Sequence, residues 1–515
     1  RGPRTVALWE PPMAARGGGA EVRRPAAAEA AVLMSRLVAA GARTLTFVRS
    51  RFGAELTALG AQRILAGQSD TAELAGRVAA YRAGYLAEDR RAVEAALDSG
   101  ELLGVATTSA LELGVDITGL DAVVIAGFPG TIASFWQQAG RAGRAGAGAL
   151  VVLVARDDPL DTYLVHHPAA LLRRPVEATV LDPTNPALLG PQLLCAAAEL
   201  PLTDEEVRQF GGWEVMSGLA DQGLVRRRAH GQWFVAPQVQ PHDAVDLRGS
   251  GGGQVAIVEG ETGRVLGTSD AARAPAALHP GAVHLHRGET YVVDELDLDS
   301  GVALVHAETP DWTTSSRSVT RIRVVEELQW RESGGVTAAL ARVEVTRQVT
   351  GFVRTHLQSG ALLEVAELDL PAHTLPTRAV LYTAAPELLV AEGVPADRLA
   401  GSLHAAEHAA IGLLPLVAGC DRGDIGGVST ARHVDTDLPT VFVYDGSPGG
   451  AGFADRGHAR LRHWLTATAD AVEACECRTG CPSCVQSPKC GNGNTPLDKP
   501  GALTVLRTIL ATRAL

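Results

Sequence analysis

Continuous apolar runs of strand length recur through the first third of the chain. TLTFV (44–48), LLGVATT (102–108), DAVVIAG (121–127) and ALVVLVA (149–155) are four of them, and TVALWE near the start reads as a fifth. Between them, residues 26–40, about 54–65 and 88–98 carry apolar positions at helical spacing. Residues 71–82 read as a helix or loop ending in a Tyr/Arg cluster. Short buried strands alternating with helices predict a parallel α/β sheet.

The texture changes near residue 190. CAAAELPLTDEEVRQF reads as helical, with Thr203 as N-cap and Glu206 three residues on, a capping box. GWEVMSGLADQGLV predicts a further helix, and RRRAHGQWFV a hairpin turning at His230–Gly231. Helix, helix and two-stranded wing together predict a winged helix. Ser250–Gly253 reads as a turn or linker, and 254–330 as short β segments forming a small barrel or sheet. In that stretch TYVVDELD (290–297) imitates a nucleotide-site strand but reads as a plain one. After SGG (333–335) come strand-rich sequence, helices near 400–418 and 454–473, a cysteine cluster, and a last helix from about 499. The expected division is 1–180, 181–245, 246–335 and 336–515.

Composition narrows the chemistry. At 515 residues and 46% apolar, the chain is long enough for several packed domains. No apolar run approaches the roughly 18 residues of a membrane span. RGPRTVALWE has neither a Met nor an apolar signal region and reads as the start of an excised piece. The net charge is −12, with 19 Arg against 18 acids in 1–180 and 27 basic against 40 acidic residues beyond. Any nucleic-acid surface must therefore be local. Only Lys489 and Lys499 are lysines, and neither follows a Gly-rich strand-to-helix turn. A P-loop needs such a lysine, so a complete P-loop ATPase site is not expected here.

The densest constellation is GVATTSALELGVDITGLDAVVIAGFPGTIASFWQQAGRAGR (104–144). Thr107 and Thr108 end a strand, a place for hydroxyl contacts to backbone phosphates. Gly114 and Asp116 suit a tight turn with a carboxylate for a ribose or a bridging Arg. Gln137, Arg141 and Arg144 follow the spacing Gln-x-x-Gly-Arg-x-Gly-Arg. Two guanidiniums three residues apart can clamp a γ-phosphate presented by another domain. Arg49, Ser50 and Arg51 directly follow a parallel strand, where such sheets bind ligands, and Arg82 is a further candidate for that groove. Arg226, Arg227 and Arg228 precede the wing turn, and Trp213 and Trp233 read as core anchors of the winged helix.

Five of the seven cysteines crowd into C-E-C-R-T-G-C-P-S-C-V-Q-S-P-K-C-G-N: Cys475, Cys477, Cys481, Cys484 and Cys490. Cys481-x-x-Cys484 is a metal knuckle, and Cys490–Gly491 resembles half of another. With one of Cys475 or Cys477 these would hold a structural zinc by four thiolates, leaving one cysteine spare. Such clustering suits a reducing compartment, so the expected location is cytoplasmic. Cys195 and Cys420 read as small buried residues. His404-Ala-Ala-Glu407-His408 has the H-x-x-E-H spacing of a zinc peptidase, with Glu473 or Glu476 as third ligand; the competing reading is a polar interface cluster.

TLTFVRSR, ATTSALELGVDI and QQAGRAGR resemble motifs IV, V and VI of the second motor domain of superfamily-2 helicases. YRAGYLAEDRR (81–91), PLDTYLVHHP (159–168), CAAAELPL (195–202), HPGAVHLHRGETY (279–291), LHAAEHA (403–409), CDRGDIGG (420–427), YDGSPGGAGF (444–453) and the terminal cysteines followed by LDKPGA narrow the likeness. They resemble the mitomycin-repair-factor type of DNA helicase, related to the RecQ-like Hrq helicases. That resemblance, which covers nearly the whole chain, implies a RecA-like α/β domain, then a winged helix, then an α+β zinc-containing domain. It implies ATP-driven 3′-to-5′ translocation on single-stranded DNA in repair by a monomer, with single-stranded or duplex DNA as partner, Arg141 and Arg144 as arginine fingers and structural Zn²⁺. ATP and Mg²⁺ would bind only with the first motor domain, which the segment lacks. The alternatives are a non-catalytic DNA-binding zinc scaffold and the H-x-x-E-H metallopeptidase.

Overall fold

The computed structural model describes residues 2–15, 21–81, 87–113, 120–143, 148–245, 253–286, 289–357, 359–488 and 490–513. The first unit is a six-stranded parallel sheet in the order Arg4–Trp9, Ala149–Val154, Ala122–Ala126, Thr44–Phe47, Gly104–Thr107, Val78–Tyr81. Its four central strands are the continuous apolar runs, buried on both faces, as parallel strands between helices must be. The outer strand Val78–Tyr81 falls where a helix or loop was expected. A short 3₁₀ helix, Ala72–Arg77, occupies only the first half of that stretch. Four residues pairing with Gly104–Thr107 are too few to show a period of their own.

The winged helix follows. Helices Pro186–Glu199, Asp204–Gln209 and Trp213–Asp221 pack on a three-stranded sheet of Val225–Arg227, Gln232–Val235 and Leu202–Thr203. The capping box is present at Thr203 and Glu206, but the helical reading of 195–210 is interrupted at 200–203 by that short strand. Trp213 and Trp233 meet edge to face at 5.8 Å, and Trp233 is buried, its Nε1 donating to Asp204 at 2.8 Å. Arg227 is bound to the same carboxylate, Arg228 lies over Phe234, and Arg226 is exposed.

Strands Gln254–Glu259, Val265–Asp270, Val283–His286, Glu289–Asp297 and Val302–Ala307 form a separate five-stranded sheet. The expected boundary at 335 does not survive. Ser333 pairs with Val336, and Gly334 and Gly335, both at positive φ, turn a hairpin between Trp312–Ser333 and Val336–His356. Residues 333–335 are therefore the tip of one long ribbon. Two adjacent left-handed residues favour glycine in a hairpin as much as in a linker. That ribbon continues through His373–Ala384, Thr440–Asp445 and Ile425–Thr430, with Leu362–Glu367 on its side.

Helix Leu399–Leu413 lies on this last sheet, and helices Leu461–Ala474 and Lys499–Ala511 pack against that helix in turn. A single apolar core runs from Leu45, Val123 and Leu160 of the parallel sheet and its helices to Leu413, Trp464, Val505 and Cys484. Small residues permit the closest approaches. A Cβ on Gly412 would stand 3.0 Å from Pro159, and one on Gly501 would stand 2.8 Å from Ser402 Cβ and closer still to its hydroxyl.

Gly501→Ala should therefore destabilise the chain by about 1–3 kcal/mol, the usual cost of overpacking. Gly218→Ala, in a helix with open space around it, should be neutral or stabilise by up to about 1 kcal/mol. Denaturant titrations of the two variants give the comparison; equal midpoints would remove the steric argument.

Candidate functional site

The C-terminal ends of the parallel strands gather the motor motifs. Arg49 and Ser50 follow Thr44–Phe47, and both are exposed. Ser50 caps helix Arg51–Ala66, its Oγ accepting from Gly53 N at 2.9 Å, so its hydroxyl is engaged in the fold. Arg49 forms an ion pair with Asp421 of the last domain. The side chain of Arg51 and all of Arg82 lie outside the described residues. On the neighbouring strand the phosphate role read for the Thr107 hydroxyl needs correction: Thr107 is wholly buried, and its Oγ1 donates to the Thr108 carbonyl at 3.1 Å. Thr108 is half-buried and turns the chain into a short 3₁₀ helix.

Gly114, Asp116 and Arg144 lie outside the described residues. Arg141 is described, and it points inward. It is 9% exposed, and its guanidinium donates to the Glu112 carbonyl at 2.6 Å. As placed it ties motif VI to motif V, which corrects the expectation that it clamps a γ-phosphate alongside Arg144. Gln137 is exposed on helix Ile132–Ala139. Its neighbour Gln138, which the motif spacing passed over, is buried and donates to Glu112 Oε2 at 2.9 Å, while Ser134 donates to Oε1 at 2.6 Å. Glu112 is thus the hub joining the two motifs. Glu112 stands five residues beyond the strand Gly104–Thr107, at the end of a short 3₁₀ helix, where no sequence signal marks it.

A second polar knot lies at the end of Ala149–Val154. Asp158 caps helix Pro159–His166, and Arg156 pairs with Asp158 at 2.7 Å and with buried Asp161 at 3.2 Å. Burial first, then the adjacent Asp161, pushes Asp158 up to about 6. Asp157 accepts from Ser483 of the cysteine segment, so this knot joins the parallel sheet to the zinc-type loop. Sequence reading missed it, because Arg-Asp-Asp after a strand looks like an ordinary solvated turn.

The cysteines resolve into two groups. Cys475, Cys477, Cys481 and Cys484 face one another, with Sγ separations of 3.6 Å (475–477), 3.4 Å (475–481), 3.5 Å (477–484) and 3.7 Å (481–484). Four thiolates around a zinc ion at 2.3 Å would stand about 3.8 Å apart, so these residues fit a closed tetrahedral site. Cys481 N points at Cys484 Sγ at 3.3 Å. Buried Lys499 donates to the Cys477 carbonyl at 2.7 Å and lies 3.5 Å from its sulfur. Its positive charge offsets part of the net −2 that four thiolates leave around Zn²⁺. Expecting Cys490 in this set with only one of Cys475 or Cys477 was wrong. Cys490 instead sits beside His404, Sγ to Nε2 3.4 Å. The two-residue spacing of Cys475 and Cys477 at a helix end lets both thiols turn into one site.

The peptidase arrangement is not assembled. Glu407 is buried and accepts from Ser429 Oγ at 2.6 Å, and Glu473 is paired with Arg507 at 2.6 Å. The base and one of the proposed third ligands are therefore engaged elsewhere.

Cys481→Ser and Cys484→Ser should each lower bound zinc by one ion per chain in elemental analysis. Because binding energy at such a site is also folding energy, hydrogen exchange should rise first in Lys499–Ala511 and least in the parallel sheet. Unchanged zinc in both variants would remove the four-thiolate assignment.

Three family models match successive parts of the chain: a helicase conserved C-terminal domain over 29–146, the winged helix domain of the ATP-dependent helicase HRQ1 over 181–250, and the MrfA Zn-binding domain over 406–485. The chain is 32% identical to the uncharacterized ATP-dependent helicase YprA of Bacillus subtilis over 90% of its own length and 61% of the relative's. It is 29% identical to the ATP-dependent helicase HRQ1 of Saccharomyces cerevisiae over 99% of its own length and 49% of the relative's. It thus spans about half to three-fifths of these relatives. Among solved structures it is similar to the DUF1998 helicase MrfA bound to DNA, with a TM-score of 0.63 and 29% identity, covering 98% of this chain and 66% of that one. A form of MrfA bound to DNA and AMPPNP matches at a TM-score of 0.58. The three models fall in one order along one sequence, and the relatives run through all of them: the chain is similar throughout to the C-terminal portion of MrfA/Hrq-type superfamily-2 helicases.

Proposed function

We propose that this chain is the C-terminal portion of an ATP-dependent 3′-to-5′ DNA helicase or translocase acting in DNA repair. In this reading it supplies the second motor domain, DNA contacts and a structural zinc domain. The first motor domain, with its P-loop, would be its partner within the same monomer. The observation that carries the reading is the joining of motifs V and VI through Glu112 at the ligand-binding edge of the parallel sheet, in a chain whose two lysines both lie beyond residue 488. The likeness to MrfA, solved with DNA and with AMPPNP, supports it. The reading places the protein in the cytoplasm.

The chemistry follows from the placement of the side chains. ATP with Mg²⁺, held mainly by the first domain, supplies the phosphoryl transfer. Arg144 is the residue proposed to meet the charge developing on the γ-phosphate. Arg141 holds the segment leading to it against motif V, since its own guanidinium is committed to the Glu112 carbonyl. Arg49 and Thr108 are the described residues proposed to meet the tracking strand's phosphates. The Arg49–Asp421 pair then competes with phosphate for the same guanidinium.

Two measurements test this. The purified chain, given ATP and single-stranded DNA, should release phosphate only at background; turnover would show a complete site within it. In the full-length enzyme, Arg144→Ala should lower DNA-stimulated hydrolysis by about 10³–10⁵-fold, the range of arginine fingers, with DNA binding retained. A loss of only a few-fold would demote Arg144 to a structural role.

Arg49→Ala should weaken single-stranded DNA binding to a similar degree across sequences. It should also reduce the slope of log affinity against log salt by about 0.7, the value for one lost phosphate contact. An unchanged slope in fluorescence titrations would remove Arg49 from the DNA path.

A further inference from the structure

We propose that His404, His408 and Cys490 form a second zinc site, distinct from the four-thiolate one, with one coordination position left to solvent. The two histidines lie four residues apart on helix Leu399–Leu413, which puts both rings on one face. Their centroids are 4.3 Å apart. Each ring is held by its Nδ1: His404 against the Pro496 carbonyl at 2.9 Å, and His408 against the Val485 carbonyl at 2.9 Å. A carbonyl only accepts, so Nδ1 carries the proton in both rings. The neutral imidazoles then have their lone pairs at Nε2. This outer hydrogen bond is the one that orients metal-binding histidines.

Cys490 supplies the third donor. Its sulfur lies 3.4 Å from His404 Nε2, and the three ligand atoms are all within 4.8 Å of one another. Two imidazole nitrogens and a thiolate around one zinc ion would stand about 3.3–3.6 Å apart, so a small closure completes the site. The loop is shaped to present that sulfur. Asn494 N donates to it at 3.3 Å, while the Asn494 side chain is locked by two hydrogen bonds to the main chain of Ser487, at 2.7 and 3.0 Å. An amide aimed at sulfur favours the thiolate, as Cys481 N does at Cys484 in the first site.

The donor set selects the metal. Two imidazoles and a thiolate suit a borderline-soft ion such as zinc and not Mg²⁺ or Ca²⁺, which take oxygen ligands. Among the described residues no fourth His, Cys, Asp or Glu joins the group. Glu407 is turned to Ser429. His404 and Cys490 are half-buried, so water has access to the remaining position. Three protein ligands plus water is the open form of a zinc site, in contrast to the closed four-thiolate one. The zinc-domain family match ends at residue 485, short of Cys490. The site would clasp the central helix to the loop that leaves the first zinc site, because Val485 directly follows Cys484.

Zinc counted by elemental analysis in the full chain, purified without chelator, should reach two ions per chain. X-ray absorption at the zinc edge should show imidazole scattering beside the sulfur shell. Cys490→Ala and His408→Gln should each bring the count to one and remove the imidazole signature, leaving a pure sulfur shell. One zinc per wild-type chain with only sulfur neighbours would overturn the proposal, and so would two zinc ions retained in both variants. The wild-type count and spectrum decide the matter even if a variant fails to fold.

Discussion

Helix Leu399–Leu413 is the element around which the rest of the structure is arranged. Its sequence, LAGSLHAAEHAAIGL, is buried on nearly every face, which an amphipathic surface helix would not be. Alanine and glycine make this possible by letting neighbours approach the backbone. Pro159 of the parallel-sheet unit lies against Gly412, and Pro496 and Leu497 of the cysteine segment lie against Gly401. Trp464, fully buried, donates its indole N–H to the Ala410 carbonyl at 2.8 Å. One helix therefore sets the position of the motor sheet, the last antiparallel sheet and the zinc loop relative to one another.

This arrangement gives the charged groups around it their meaning. Arg49 at the edge of the parallel sheet meets Asp421, a few residues beyond the central helix, and Asp157 meets Ser483 inside the thiolate knuckle. The parallel-sheet unit and the last domain are thus joined by polar contacts, these two and that of Arg174 with the Leu416 carbonyl among them, and by a continuous apolar core. A displacement of the parallel sheet would be felt at the thiolate loop, because packed interiors transmit displacement instead of absorbing it. The zinc domain reads as a brace for the motor and not as an appendage.

The two cysteine groups illustrate a division of labour within sixteen residues of sequence. Four cysteines with a lysine beside them fit a closed knot whose negative charge is partly offset and which leaves no place for a substrate. Cys490 turns away toward two histidines that arrive from the central helix. The H-x-x-E-H spacing placed both rings on one face of the helix, as expected. It misled about the third partner and about Glu407, whose carboxylate is bound to Ser429 in the neighbouring strand.

Local chemistry alone determined much of this protein. The parallel strands were legible because buried strands are continuous apolar runs, and the Thr203 capping box and the His230–Gly231 turn because each is settled within four residues. The membership of Cys481 and Cys484 in one site followed from their spacing. Tertiary structure decided what depends on residues far apart in the chain. It made Val78–Tyr81 a strand by supplying Gly104–Thr107 as its partner, and it made Ser333–Gly335 a hairpin tip by pairing two strands of more than twenty residues. It turned Arg141 inward to Glu112, twenty-nine residues away, and brought Cys490 to His404 across eighty-six. No periodicity or spacing carries such information, because the side chain's partner is chosen by the packing of whole elements and not by its neighbours in sequence.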